Sequence, residues 1–204
     1  EKPQRVPDTM AALRDKISLV TTIQGARAAF KDLKESDLSA FDFECFRLKP
    51  YADDALPLSI AIAADNHVYA FPLKHRKASW TDSEYAQLLD LIKDFFSQGK
   101  ESIAHSAVFD LEQLLHLVGP EVARKTKWHC TFIGSHLLDV NGKGGNSLGV
   151  RCQEFLGVNP KDLAVAAANV KDLRREPLHN LLEYNALDAL FTLWLHDELE
   201  EAHS

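Results

Sequence analysis

Two acidic residues, Asp42 and Glu44, stand two positions apart in the segment AFDFEC (residues 40–45). Alternating apolar and acidic residues predict a β-strand, and strand residues i and i+2 project from the same face. Neighbouring carboxylates repel each other and are costly in apolar surroundings without a partner. A solvated strand edge would satisfy them. A divalent cation would also satisfy them, because hard cations such as Mg²⁺ prefer carboxylate oxygens.

Further acidic residues follow at two other points of the chain. Asp110 ends the segment IAHSAVFD (residues 103–110), where a short strand is predicted to run into a helix. A carboxylate there suits the positive end of the helix dipole, or it serves as a cation ligand. Tyr184 and Asp188 are four residues apart in YNALD, which places both on one face of a helix. Because leucines surround Asp188, its carboxylate needs a partner, and a metal ion is one.

The elements that must position these residues include both strands and helices. Strands are predicted at residues 40–45, 56–64, 68–71 and 102–104, with a turn at 65–66 that makes a hairpin. Helices are predicted at residues 9–17, 23–33, 81–96, 107–118, 131–139, 147–156 and 178–200. Thr81 and Glu84 form a capping box at the start of the third helix. This order predicts an α/β fold with a mixed β-sheet flanked by α-helices.

Composition narrows the class of protein. The 204 residues suit one globular domain, and 46% hydrophobic with 26% charged residues excludes a mostly disordered, collagenous or membrane-spanning chain. Three cysteines without a C-x-x-C pair argue against a disulfide framework or structural zinc, and they favour a reducing compartment. The formal net charge is −7, whereas proteins that bind nucleic acid by neutralising phosphates are normally basic.

Taken together, the motifs resemble the DEDD exonucleases, in the branch that carries a tyrosine. The segment FDFECFRLKP (41–50) is similar to the first motif of the proofreading 3′–5′ exonuclease domain of family A (DNA polymerase I type) DNA polymerases. YAFPL (69–73) resembles the hairpin strand that follows, and SHLLD (135–139) with NSLGVRCQEFLG (146–157) resembles the helical segment before the last motif. The resemblance runs from about residue 23 to 196.

The resemblance implies a fold and a division of the chain. A ribonuclease H-like sheet is expected, with residues 1–22 as an N-terminal lead-in containing a short helix. Residues 23–204 are expected to form a single exonuclease domain excised from a longer polymerase. The cytoplasm of a bacterial or phage-infected cell is the expected location, with an organelle or the nucleus left open.

The resemblance also implies an activity. It is metal-dependent hydrolysis of the terminal phosphodiester of single-stranded or frayed DNA, releasing nucleoside 5′-monophosphates, as in proofreading. Two Mg²⁺ or Mn²⁺ ions are implied. Asp42 would bridge both, Glu44 and Asp188 would complete the first site, Asp110 would support the second, and Tyr184 with Glu44 would orient the attacking water. Two divalent ions would add +4 and raise the formal charge from −7 to −3, so the acidity no longer opposes nucleic acid.

The expected partners are the 3′ end of a single DNA strand and a polymerase domain, in the same chain or in another; no membrane partner is expected. Leu48 and Phe46 follow the first motif and are predicted to pack against the terminal base, with a core position as the alternative for Phe46. His105 and Ser106 are candidate contacts to the substrate backbone, although a lone histidine often has a structural role.

Basic residues in two segments are further candidates. Lys171, Arg174 and Arg175 precede the tyrosine-bearing helix and are the preferred contacts to a nucleic-acid strand. The basic run at residues 74–77 is interpreted as a solvated loop.

The chain also departs from the family pattern. At three positions the family usually has Asn, Lys and Thr, whereas this chain has Ser106, Val108 and Cys45. How tightly the chain binds its substrate is therefore left open. An RNA 3′-end trimming exonuclease of the ribonuclease D type remains an alternative, because contacts to the 2′-hydroxyl cannot be read from sequence. An inactive scaffold domain of the same fold is a second alternative, which the presence of all four acids and Tyr184 opposes.

Overall fold

A six-stranded mixed β-sheet forms the centre of the protein in a computed structural model that describes residues 6–138, 145–164 and 172–203. Its strands are β1 (Ile17–Leu19), β2 (Leu38–Phe46), β3 (Leu56–Ala64), β4 (His67–Pro72), β5 (Glu101–Ala104) and β6 (Lys127–Cys130). They lie in the order β1-β4-β3-β2-β5-β6. The β2–β3 and β3–β4 pairs are antiparallel, and the other three pairs are parallel.

Helices cover both faces of this sheet, which confirms the predicted α/β fold with a mixed sheet. They are α1 (Met10–Leu13), α2 (Ile23–Leu33), α3 (Asp82–Phe96), α4 (Ala107–Val118), α5 (Thr131–Leu138), α6 (Leu148–Leu156), α7 (Pro160–Leu163) and α8 (Leu178–His203). Short 3₁₀ turns occupy Arg14–Lys16, Pro120–Arg124 and Leu173–Arg175. Among the described residues, no helix combines the length and apolar character needed to span a membrane.

The two faces of the sheet differ in side-chain size. Bulky residues such as Phe41 and Phe43 pack with α2, α3 and α4 on one face. The opposite face carries the alanines Ala40, Ala61 and Ala63, which pack against α6 and α8. Small side chains allow α8 to lie close to the strands. Because side chains alternate along a strand, Asp42 and Glu44 belong to the same face as Ala40 and so lie on the α8 side.

Several local predictions are confirmed. Helices α2 and α4 and strand β3 have the predicted bounds. The hairpin turn holds Asp65 and Asn66 at φ 47° and 64°, left-handed conformations that Asp and Asn tolerate. The Thr81–Glu84 capping box is formed on both sides, side chain to backbone and backbone to side chain.

Two predictions at the outer strands were wrong. The helix expected over 9–17 ends at Leu13, a 3₁₀ turn continues to Lys16, and Ile17 begins β1. Strand β6 was missed, because the alternation in KWHC covers only four residues, too few for a clear strand signal, and its conformation depends on pairing with β5. Strand β1 lies within the segment 1–22 that was set apart as a lead-in; the domain boundary itself stays a prediction.

Candidate active site

Strand β2 carries the first two acids of the site. Asp42 pairs with Ala61 and Glu44 with Ser59 in the antiparallel ladder, and the register shifts immediately afterwards, between Glu44 and Cys45. Such an irregularity bends a strand and re-aims its side chains. Both residues are of intermediate burial, so they lie at the border between the packed α8 face of the sheet and solvent.

Helix α8 brings the third acid to the same place. One carboxylate oxygen each of Asp42, Glu44 and Asp188 lie within 4.8 Å of one another. Asp188 is only 9% exposed, and its Oδ1 is buried without a hydrogen-bond partner. The Tyr184 phenol, one turn earlier on α8, forms a hydrogen bond with the Asp188 carboxylate.

Asp110 reaches the site from the opposite side of β2. Strand β5 pairs with β2 only over residues 38–40, so the backbone N–H of Phe43 lies beyond that ladder. This N–H donates to Asp110 Oδ1 at 3.0 Å, and Asp110 is 2% exposed. Asp110 lies outside the close group of three but near enough to act on Asp42 electrostatically.

All four carboxyl groups have raised pKa values, and burial is the largest cause for each. Burial and the neighbouring carboxylates raise the pKa of Asp42 and Glu44 well above their ordinary range. Burial raises the pKa of Asp110 and of Asp188 to about 7. Burial and the nearby acids also raise the pKa of Tyr184, so the phenol stays protonated at neutral pH and acts as a donor.

These residues fit a bound divalent cation. The donor set is entirely oxygen, which suits a hard cation. Close carboxylates with raised pKa values repel one another, and a cation would relieve that repulsion. The buried, unpartnered Oδ1 of Asp188 is an acceptor to which a cation would give a partner.

Two residues near the acids were missed by sequence reasoning. Lys161, exposed in α7, lowers the pKa of Glu44 and Asp188 through its positive charge. Asn185, fully buried in α8, hydrogen-bonds to Asp42. The polar Asn185 within an apolar helix was a readable signal, whereas no spacing rule singled out Lys161.

A cleft of about 550 Å³ lies beside the acids and includes Phe46, Leu48 and Leu173 in its lining. Leu48 is 75% exposed there. The Arg174 guanidinium carbon lies 3.4 Å from the centroid of the Phe46 ring, and that of Arg47 lies 4.6 Å from it. Phe46 is therefore a partly exposed ring held by two cations, which differs from both a core residue and a bare stacking platform.

The turn that carries Arg174 and Arg175 is anchored from the basic run at residues 74–77. Arg76 donates to the carbonyl oxygens of Arg174 at 3.1 Å and Arg175 at 3.3 Å. His75 is 3% exposed; its Nδ1 accepts from the Lys77 N–H, so its Nε2–H donates to the Glu176 carbonyl at 3.1 Å. Lys74, Arg76 and Lys77 are exposed, as the interpretation as a solvated loop predicts, but the buried His75 and the contacts of Arg76 give the run a structural role as well.

The two preferred arginines differ in how firmly they are held. The Arg174 guanidinium forms a two-point ion pair with Asp172, with both N···O distances 2.8 Å. The Arg175 side chain is 85% exposed. Lys171 and Asp139, named in the sequence motifs, lie outside the described residues.

His105 is engaged within the protein. Its Nε2–H donates to the Asn146 carbonyl at 2.7 Å, and its Nδ1 accepts from the Thr131 hydroxyl at 2.9 Å. Burial lowers its pKa to about 4, so the ring is neutral at physiological pH. This geometry favours a structural role, and the substrate contact stays a prediction. Ser106 is exposed immediately before α4, and Val108 is exposed in the first turn of that helix.

Comparison with known sequences adds to this geometry. A family model described as 3′–5′ exonuclease matches residues 17–203. DNA polymerase I of Chloroflexus aurantiacus is 27% identical over 204 residues, covering 98% of this chain and 20% of that protein. The chain thus spans about a fifth of the length of this curated relative.

Solved structures share the fold. Brucella melitensis NrnC bound to pGG superposes with a TM-score of 0.62 at 23% identity, covering 91% of this chain and 78% of that one. The Trypanosoma brucei RNase D:GMP complex gives a TM-score of 0.67 at 16% identity, covering 92% and 57%. At these identities the likeness concerns the fold alone.

Proposed function

The chain belongs to the 3′–5′ exonuclease family, as its motifs predicted, and from this premise we propose that it removes nucleotides one at a time from the 3′ end of single-stranded or frayed DNA. The products would be nucleoside 5′-monophosphates. The observation that carries this proposal is the convergence of Asp42, Glu44 and Asp188, with oxygens within 4.8 Å, beside the buried Asp110.

Two Mg²⁺ or Mn²⁺ ions are the cofactors we propose, held by Asp42, Glu44 and Asp188 with Asp110 supporting the second ion. When bound, such ions activate water near neutral pH and stabilise charge on the departing oxygen. The chain's own residues then orient the reactants. The Tyr184 O–H donates to Asp188, so the phenol oxygen accepts one hydrogen bond from the attacking water, and Glu44 accepts the other.

Substrate contacts follow from the cleft beside the acids. Leu48 offers an exposed apolar side chain against the terminal base, and Phe46 supports it from beneath the Arg174 guanidinium. Arg174, held by Asp172, meets a backbone phosphate of the incoming strand. Arg175, Ser106 and His105 are weaker candidates for further contacts.

DNA is favoured over RNA by the sequence relatives. The curated relative is a DNA polymerase I, and a polymerase domain in the same or another chain would supply frayed 3′ ends for proofreading. The similarity to RNase D is at 16% sequence identity, and at this level it supports a shared fold but not a shared substrate. An inactive scaffold is disfavoured because the acids and Tyr184 come together in one site.

The test uses 5′-fluorescein-labelled single strands of DNA and RNA with one sequence, incubated with Mg²⁺, Mn²⁺ or EDTA. A ladder shortening by single nucleotides, dependent on metal and faster on DNA, is expected. A terminal 3′ phosphorothioate should delay the first cleavage, which establishes direction. Asp42→Ala should abolish the ladder, whereas Asp90→Ala, an exposed acid on α3, should leave it unchanged.

Other outcomes redirect the proposal. Faster digestion of RNA would assign the ribonuclease D type of activity. Digestion that persists in EDTA or in Asp42→Ala would refute the assigned site. A folded protein that binds Mn²⁺ but digests neither strand would support a scaffold.

A further inference from the structure

A buried amide lies directly behind the acid that the proposed site places at its centre. The Asn185 side chain, fully buried in α8, contacts Asp42 on β2 and Ser59 on β3. It is the residue next to Tyr184, but it faces into the protein. Its contacts connect three elements at the point where the carboxylates meet.

The chemistry of its neighbours fixes which way this amide points. The two Asp42 groups in contact are the backbone carbonyl, at 3.1 Å, and carboxylate Oδ2, at 2.7 Å from Asn185 Nδ2. A carbonyl accepts and cannot donate, so the NH₂ group must face Asp42. The amide oxygen therefore faces Ser59, whose hydroxyl donates to it at 2.8 Å.

Asn185 thus uses both N–H bonds on a single residue. One holds the backbone of β2 at Asp42, and the other holds one oxygen of the Asp42 side chain. Rotation of the carboxylate about its side-chain bonds would break the 2.7 Å contact and leave an N–H of the fully buried Asn185 unpaired, which is costly. The carboxylate is therefore fixed in one orientation relative to Glu44 and Asp188.

We propose that Asn185, oriented by Ser59, is a positioning residue of the metal site, setting the geometry in which Asp42 binds the divalent ion. This inference rests on the proposed function for its meaning in catalysis, but it concerns metal binding by the protein alone. Partners that orient a ligating carboxylate typically affect metal affinity or activity by about 10–100-fold when they are replaced.

The experiment measures Mn²⁺ binding by electron paramagnetic resonance of the free ion, with protein and no nucleic acid. Asn185→Ala is expected to weaken Mn²⁺ binding about 10-fold or more. Asn185→Asp has the same size but presents a carboxylate to Asp42 in place of two donors, so it should weaken binding at least as much. Ser59→Ala, which only frees the amide oxygen, should weaken it about 5-fold.

Thr192→Val is the matched control. Thr192 is fully buried on the same helix, and its hydroxyl has no hydrogen-bond partner in the described chain. This variant should bind Mn²⁺ like the wild type. In the nuclease assay, Asn185→Ala should raise the Mn²⁺ concentration needed for half-maximal rate. The KM for the oligonucleotide should stay within about twofold of the wild-type value. A general loss of structure would change both quantities.

Unchanged Mn²⁺ affinity in Asn185→Ala and Asn185→Asp would overturn the inference. If Asn185→Ala does not fold, Asn185→Asp and Ser59→Ala decide by the same measurement. A wild type that binds Mn²⁺ but digests no nucleic acid would refute the proposed function. The Mn²⁺ affinities of the variants would still test whether Asn185 positions Asp42 for metal binding.

Discussion

Replacing Asp188 by Asn should stabilise the metal-free protein while abolishing its activity. The Asp188 carboxylate is 9% exposed, its Oδ1 has no partner, and it lies beside Asp42 and Glu44. Burial raises its pKa from 3.8 to about 7, so above pH 7 the folded protein holds a charge that the unfolded chain would hydrate. Asn has the same shape and no charge.

The magnitude follows from that difference in pKa. At about 1.36 kcal/mol for each unit between 3.8 and about 7, the ionised group costs the folded state roughly 4 kcal/mol. Because neighbouring acids share this cost, we expect Asp188→Asn to raise the free energy of unfolding at pH 8 by roughly 2–4 kcal/mol. For a protein of this size that raises Tm by roughly 5–15 °C.

The stabilising effect of Asp188→Asn should depend on pH, in a direction set by the raised pKa of Asp188. A carboxyl group with a raised folded-state pKa contributes its full stability below the unfolded value of 3.8, and this contribution is lost as the pH rises through about 7. The advantage of Asp188→Asn should therefore be greatest above pH 7. It should shrink to below about 1 kcal/mol near pH 4, where the folded carboxyl is protonated and roughly half of the unfolded carboxyl is protonated as well.

Thermal unfolding followed by circular dichroism in EDTA, at pH 8 and pH 4, measures this effect. Asp90→Asn on α3 is the control, and its Tm should follow the wild type at both pH values. Adding Mg²⁺ at pH 8 should raise the Tm of the wild type but not that of Asp188→Asn. No gain in Tm for Asp188→Asn at pH 8, or an equal gain at both pH values, would show that the buried charge of Asp188 does not destabilise the folded protein.

Two further predictions concern turnover and substrate. Tyr184→Phe removes the phenol that bonds Asp188 and should lower kcat about 10-fold while the Mg²⁺-induced rise in Tm is kept; an unchanged kcat would remove the phenol from the reaction. Arg174→Ala removes the guanidinium over Phe46 and should raise the KM for single-stranded DNA about 5- to 30-fold, measured by steady-state kinetics. Arg175→Ala, at an 85% exposed side chain, should change KM by less than about threefold, and equal effects of the two would contradict the assignment.

Local sequence signals predicted much of the framework. The capping box at Thr81, the Asp65–Asn66 turn and the alternation along β2 depend on neighbours a few residues away, so they can be read from the chain. Strand β6 could not be read in this way, because its four residues gain their conformation from hydrogen bonds to β5, a distant segment.

Contacts between side chains of distant segments likewise could not be predicted from the sequence. The run at 74–77 reads as solvated, yet His75 and Arg76 bond to the turn at residues 173–175 and to Glu176 about one hundred residues away. Phe46 reads as either core or stacking platform, and only the folded chain places Arg174 over its ring. Such contacts depend on packing, which no spacing rule encodes.

The sequence by itself determined the residue types and the faces they share: Asp42 with Glu44 on a strand, and Tyr184 with Asp188 on a helix. These follow from the periods of 2 and 3.6 residues that backbone geometry imposes. The tertiary structure alone decided that the alanine face of the sheet lets α8 approach, so that Asp188 comes within 4.8 Å of the β2 acids. It also decided that Asn185 holds Asp42 from behind, because a buried amide must find its partners wherever the packed elements place them.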